Sequence, residues 1–118
     1  MSQEVDRRRA QFEFERQLRK RILDSPKEQR AAVTTEAYAE LFNEFGDHAA
    51  LSFSEADRKS VGRHGAGMFA PLLGKASRIL EVGCGRGDVL RELASRGHTC
   101  VGIEASALMA EIAGQSSP

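Results

Sequence analysis

The run Arg78-Ile79-Leu80-Glu81-Val82-Gly83-Cys84-Gly85-Arg86-Gly87-Asp88 constrains the fold of this 118-residue chain more than any other stretch. A short apolar segment enters three glycines at alternate positions, a helical pattern follows, and a second apolar run, 99–103, ends at Glu104. The order is strand, tight turn, helix, strand, acid. Glycine supplies the left-handed backbone angles that a sharp strand-to-helix turn needs, and its missing side chain lets a ligand approach the main chain. Two strands joined through a helix make a parallel crossover, which is right-handed. Ligand sites of such units lie at the carboxyl ends of the strands, where Gly83 and Glu104 both fall.

Before this unit the chain reads as helical. A charged helix is expected from about Glu4 to Leu23, with Phe14, Leu18 and Ile22 at i, i+4, i+8 as a narrow apolar stripe. Ser25-Pro26-Lys27-Glu28 has the composition of a helix start, with Ser25 as cap and Glu28 completing a capping box. The helix after it carries Val33, Ala37, Tyr38, Leu41, Phe42 and Phe45 on one side and stops near Gly46. Ser52 with Glu55 suggests another capping box. Gly62, Gly65 and Gly67 weaken any continuous helix beyond it, and Met68, Phe69, Leu72 and Leu73 suggest a short apolar-faced helix restarted around Pro71. Residues 74–77 read as a turn.

Arg78–Val82 then reads as a buried strand. Asp88–Arg96 is a helix with Val89, Leu90 and Leu93 inward and Gly97 closing it. A last helical stretch starts at Ser106 and dissolves at Gly114. The expected division is a helical segment over 1–74 and a βαβ unit over 75–118.

Composition narrows the function classes. Seventeen Lys plus Arg balance seventeen Asp plus Glu, which weighs against nucleic acid as a partner, and the basic clusters near the N-terminus interleave with acids as on a solvated helix face. No apolar segment is long enough to cross a bilayer, and the polar N-terminus lacks a signal-peptide core. Two cysteines, Cys84 and Cys100, make no disulfide framework, so a reducing, cytoplasmic compartment is the default expectation. His48, His64 and His98 have no metal-ligand spacing, and no metal is expected.

The details of the turn bear on the ligand. A dinucleotide fingerprint is G-x-G-x-x-G with pyrophosphate over the helix N-terminus. This chain has G-x-G-x-G, with Asp88 at the helix entrance and Glu81 before the turn. Two acids there disfavour phosphate and suit a ligand with positive groups, such as S-adenosylmethionine with its sulfonium and ammonium. The glycines could also serve turn geometry alone, Glu81 could be a solvated carboxylate, and Asp88 also serves as a favourable charge in a first helical turn. Cys84 reads as a small side chain packed in the turn rather than a reactive thiol.

Glu81-Val82-Gly83-Cys84-Gly85-Arg86-Gly87 resembles the first motif of the class I S-adenosylmethionine-dependent methyltransferases, an acid, a spacer and G-x-G-x-G. Glu104 matches that family's ribose-binding acid after the second strand. The resemblance covers about residues 78–113, and the preceding helices are similar to the family's N-terminal cap. It implies an α/β fold in which N-terminal helices precede the first βαβ portion of a Rossmann-like methyltransferase domain. It also implies S-adenosylmethionine as cofactor, an unknown methyl acceptor, and cofactor contacts from Glu81, Gly83, Cys84, Gly85, Gly87 and Glu104. Arg63, His64 and Gly65 lie where related enzymes sometimes reach the methionine carboxylate; a surface loop is the plain alternative.

Members of that family have a seven-stranded sheet, and this sequence supplies the first two strands. The expectation is a fragment, a truncated reading frame, or a piece completed by another chain or an oligomer, with no catalytic residue to name. Two other functions stay open. One is a non-catalytic S-adenosylmethionine-binding or interaction module using Phe14, Leu18 and Ile22 as its partner face. The other is a nicotinamide-dinucleotide-binding oxidoreductase fragment, disfavoured by the glycine spacing and Asp88.

Overall fold

The computed structural model describes residues 2–115. The chain is mixed α/β and divides into two compact units, Met1–Leu51 and Ser52–Pro118. The first unit pairs helix α1 (Gln3–Asp24) with helix α2 (Arg30–Glu44). The α1 stripe is used inside this unit: Leu18 is buried, and the Phe14 ring meets the Phe45 ring edge-on at 5.6 Å. On α2, Ala37, Leu41 and Phe42 are buried, as is Phe45 just beyond it, whereas Tyr38 lies at the rim, exposed.

Ser25 does not open the second helix. Its hydroxyl donates to the Arg21 carbonyl at 2.7 Å and its N–H to the Ile22 carbonyl at 3.2 Å, so it closes α1 instead. A 3₁₀ turn over Lys27–Gln29 follows without a side-chain cap. Arg30 then starts α2, donating back to the Leu23 and Ser25 carbonyls at 3.0 and 3.1 Å. These are carbonyls that a helix end leaves without intrahelical partners.

In the second unit the capping box forms at Ser54 and Asp57, two residues after the expected Ser52 and Glu55. Helix α3 runs unbroken from Glu55 to Phe69, through all three glycines. The reason is its packing against helix α4 (Asp88–Ser95). A Cβ at Gly62 would lie 2.5 Å from the Asp88 carbonyl oxygen, and one at Gly65 would lie 2.5 Å from Val89 Cγ2. Two of the glycines therefore stand where any side chain would push the helices apart. Beyond α3, a 3₁₀ turn over Ala70–Leu72 replaces the restarted helix, and Met68, Phe69 and Leu72 are exposed.

Strands β1 (Arg78–Val82) and β2 (Thr99–Ile103) form a two-stranded parallel sheet, with Arg78 opposite Thr99 and Val82 opposite Ile103. The sheet is covered on one face. Gly102 lets Cys84 and Leu90 close on β2, since a Cβ there would lie 2.5 Å from Cys84 Sγ and 2.7 Å from Leu90 Cδ1. On the other face Leu80, Val82, Val101 and Ile103 remain 54–76% exposed, so β1 is half-covered rather than the buried strand its composition suggested. Gly97 ends α4 with a left-handed φ of +94°, and helix α5 (Ala107–Gln115) follows β2, continuing through Gly114. The expected dissolution beyond Gln115 lies outside the described residues. Among those residues no helix is long and apolar enough to cross a membrane.

The α3 glycines make a paired prediction. Gly62→Ala should lower stability by about 1–3 kcal/mol, because the new methyl meets backbone that cannot swing aside. Gly67 faces open space, so Gly67→Ala should raise stability by up to about 1 kcal/mol through helix propensity alone. Urea titrations of both variants check this; shifts of the same sign would mean that close approach does not govern α3.

Candidate functional site

The site is the Gly83–Gly87 turn together with the two acids at the strand ends. Gly83, Gly85 and Gly87 have φ of +76°, +56° and +75°, left-handed angles that other residues resist. The turn's amides are bonded internally. Those of Gly83 and Cys84 both donate to the Ile103 carbonyl, at 2.6 and 3.2 Å, which ties the turn to the end of β2. The Gly87 N–H closes on the Cys84 carbonyl at 3.0 Å. The Gly85 N–H donates to Glu104 Oε1 at 3.0 Å, while Glu104 Oε2 accepts from the Ser106 N–H at 2.7 Å. Four of the turn's five N–H groups are thereby engaged, unlike a phosphate cradle, in which such groups point at the ligand.

Glu104 is consequently fixed. Each of its oxygens holds one backbone N–H, and an ionised carboxylate has about four acceptor positions in all, so it keeps capacity for hydroxyl donors. Glu81 differs. Its Oε2 is buried without a hydrogen-bond partner. It borders an apolar groove of about 260 Å³ shared with Phe69, Leu73, Ile79, Val89 and Leu93. Desolvation raises the Glu81 pKa above the ordinary carboxylate value of 4.5. A cation brought to this carboxyl would relieve the missing partner.

The structure brings Gly83, Gly85 and Glu104 together through these bonds. Cys84 lies in the fields of both acids: burial first, then the charges of Glu81 and Glu104, raise its thiol pKa. Such a thiol is a packing group rather than a nucleophile. Cys100 is raised likewise, by burial and then Glu81. Gly87 is buried beneath α5, and a Cβ there would lie 3.1 Å from that of Ala113. A second cleft, of about 370 Å³, runs along β2 between α4 and α5 from His98 to Glu104. Arg63 and His64 are exposed on α3, and Gly65 packs on Val89.

Asp88 does not face the turn as a free acid. It is 7% exposed. Arg58 Nε donates to its Oδ1 at 2.7 Å and Arg86 Nη2 to its Oδ2 at 2.8 Å. Asp88 therefore does not act as a free charge against phosphate, since two guanidiniums meet its carboxylate; the engaged N–H groups of the turn disfavour phosphate instead. Sequence reasoning missed both arginines. Arg86 stood within the motif unassigned. Arg58 is thirty residues from Asp88, and its one trace is the i, i+4, i+8 spacing with buried Gly62 and Ala66 on α3. No group of three His, Cys, Asp or Glu among the described residues could hold a metal ion.

Comparison with known proteins gives one family: a methyltransferase domain, matched over residues 5–117. No curated protein and no solved structure matches the chain. The match spans nearly all of both units, well beyond the glycine motif, and agrees with the resemblance that Glu81–Gly87 carries. The chain belongs to the methyltransferase-domain family.

Proposed function

We propose that the chain binds S-adenosylmethionine at the glycine turn, as the methyl-donor site of a methyltransferase whose acceptor is unknown. The observation that carries this reading is the pairing of a turn whose amides are bonded internally with two acids of different state. Glu104 is fixed and retains acceptor capacity, which suits ribose hydroxyls. Glu81 has a buried oxygen without a partner, which suits an ammonium. Gly83 and Gly85 leave the main chain open between them; a Cβ at Gly83 would meet nothing within 4 Å. When bound, S-adenosylmethionine supplies an electrophilic methyl group on its sulfonium. The chain's own contribution is to hold and orient, a large share of what such reactions require. A pyrophosphate ligand fits less well, because four turn amides are already engaged.

Calorimetric titration of the full chain should show S-adenosylmethionine and S-adenosylhomocysteine binding and NAD not binding. Binding of NAD alone overturns the reading, as does absence of any adenosylmethionine signal from folded protein. Glu104→Gln should weaken donor binding by about tenfold, the equivalent of about 1.4 kcal/mol for one charge-assisted bond lost, with circular dichroism unchanged.

Glu81→Gln should have effects of opposite sign on stability and binding. Because the folded-state pKa of Glu81 is raised, its favourable contribution is full below the unfolded value of 4.5 and is lost as pH rises through the folded value. The variant should therefore melt above the wild type at pH 7, the gap closing as pH falls through the folded value towards 4.5. Its affinity for the donor at pH 7 should fall. A variant that melts lower at pH 7, or binds as tightly as wild type, removes Glu81 from the site.

A further inference from the structure

We propose that Arg58 is the residue through which α3 holds the glycine turn in shape: a positioning residue for the donor, acting through Asp88 and the Arg86 carbonyl. The consequence for the donor rests on the function proposed above; the grip on the turn does not.

The turn is built from the most conformationally free residue type, used three times in a left-handed state. Its front is tied to β2 by the Ile103 carbonyl and by Glu104. Its back is tied to α3 by the Arg58 side chain. Arg58 donates from Nε to Asp88 Oδ1 at 2.7 Å and from Nη2 to the Arg86 carbonyl at 3.3 Å. These two nitrogens share one edge of a rigid planar guanidinium, so the carbonyl before Gly87 and the carboxylate after it are held to a common template. Gly62, one helical turn further along α3, removes the side chain that would stand against the Asp88 carbonyl. Arg58 can reach its partners because Gly62 admits them.

Charge balance alone does not account for Arg58. Arg86 already meets Asp88 at 2.8 Å and lies over the Phe53 ring, its guanidinium carbon 4.0 Å from the ring centroid. The second ion pair of Arg58, to Glu55, is long at 4.0 Å. The Arg58 and Arg86 side chains are only 14% and 10% exposed, so the pair is not an open anion site. Burying a second guanidinium beside a carboxylate that is already paired costs desolvation. What it adds is geometry, namely one fork that reaches both sides of Gly87.

The test compares Arg58→Met and Arg58→Lys with Ala66→Gly, a destabilising change at a fully buried position on α3. Two readouts are taken on the full chain at a temperature where circular dichroism shows every variant folded. The first needs no ligand: amide exchange at Gly87, whose N–H closes the turn on Cys84. Arg58→Met and Arg58→Lys should each speed it by about tenfold beyond the global change, and Ala66→Gly should not. The second is affinity for S-adenosylmethionine, expected to fall by about tenfold in both Arg58 variants and by less than about twofold in Ala66→Gly. Unchanged exchange in Arg58→Met overturns the proposal. Full recovery by Arg58→Lys does too, because lysine restores the charge without the fork. Equal effects from Ala66→Gly reduce Arg58 to general packing. If wild type fails to bind the donor, the proposed function falls, and exchange alone decides the grip on the turn.

Discussion

The second unit is organised around a buried carboxylate. Asp88 enters α4 just after three left-handed glycines, and its side chain is only 6% exposed. An unpaired charge there would be expensive, whereas a paired one adds little net stability against an apolar substitute. The useful property is steepness: with both guanidiniums in place each carboxylate oxygen has its donor, and displacing either guanidinium leaves one buried oxygen without it. That cost makes one arrangement of α3, the turn and α4 much better than its neighbours. The small residues of α3 belong to the same constraint. Gly62 and Gly65 weaken the helix locally, and they also permit the approach at which Arg58 reaches Asp88.

With its back held from α3 and its front on the Ile103 carbonyl, the turn has engaged four of its five N–H donors before any ligand arrives. A site made this way offers close main-chain approach and carboxylates instead of a ring of free N–H groups. The two acids are made unlike by their surroundings alone. Glu104 follows β2 and collects two backbone donors; Glu81 sits on the covered face of β1 and has a buried oxygen with none.

The sequence made the βαβ unit legible because its signals are local. The Ile-Leu-x-Val run, the alternate glycines and the apolar spacing of Val89, Leu90 and Leu93 each report on residues a few positions apart, and both strands begin at the expected residues. Helix starts were less legible. Ser25 and Ser52 have the right chemistry for caps, but a hydroxyl between two helices can serve either, and Ser25 serves the one behind it. The α3 glycines were read as breakers because the helix that needs their smallness lies more than twenty residues downstream. Half-coverage of β1 was hidden for a related reason, since a run of apolar residues does not say how many faces are covered. In the site, Gly83, Gly85 and Glu104 could be read from spacing. Arg58 could not, because its spacing with Gly62 and Ala66 marks a helix face and says nothing of a partner thirty residues away.

Charge is distributed to match. Behind the turn, Arg58 and Arg86 both meet Asp88, and Arg58 also faces Glu55. At the strand ends stand Glu81 and Glu104, whose charges reach the Cys84 thiol between them. The unpaired negative charge beside the turn comes from the last residues of the strands and not from the first residue of the helix, whose carboxylate is paired. Asp88 is occupied in building the turn, so the acids that remain beside it are the two at the ends of β1 and β2, one with unused acceptor capacity and the other with a buried oxygen still without a donor.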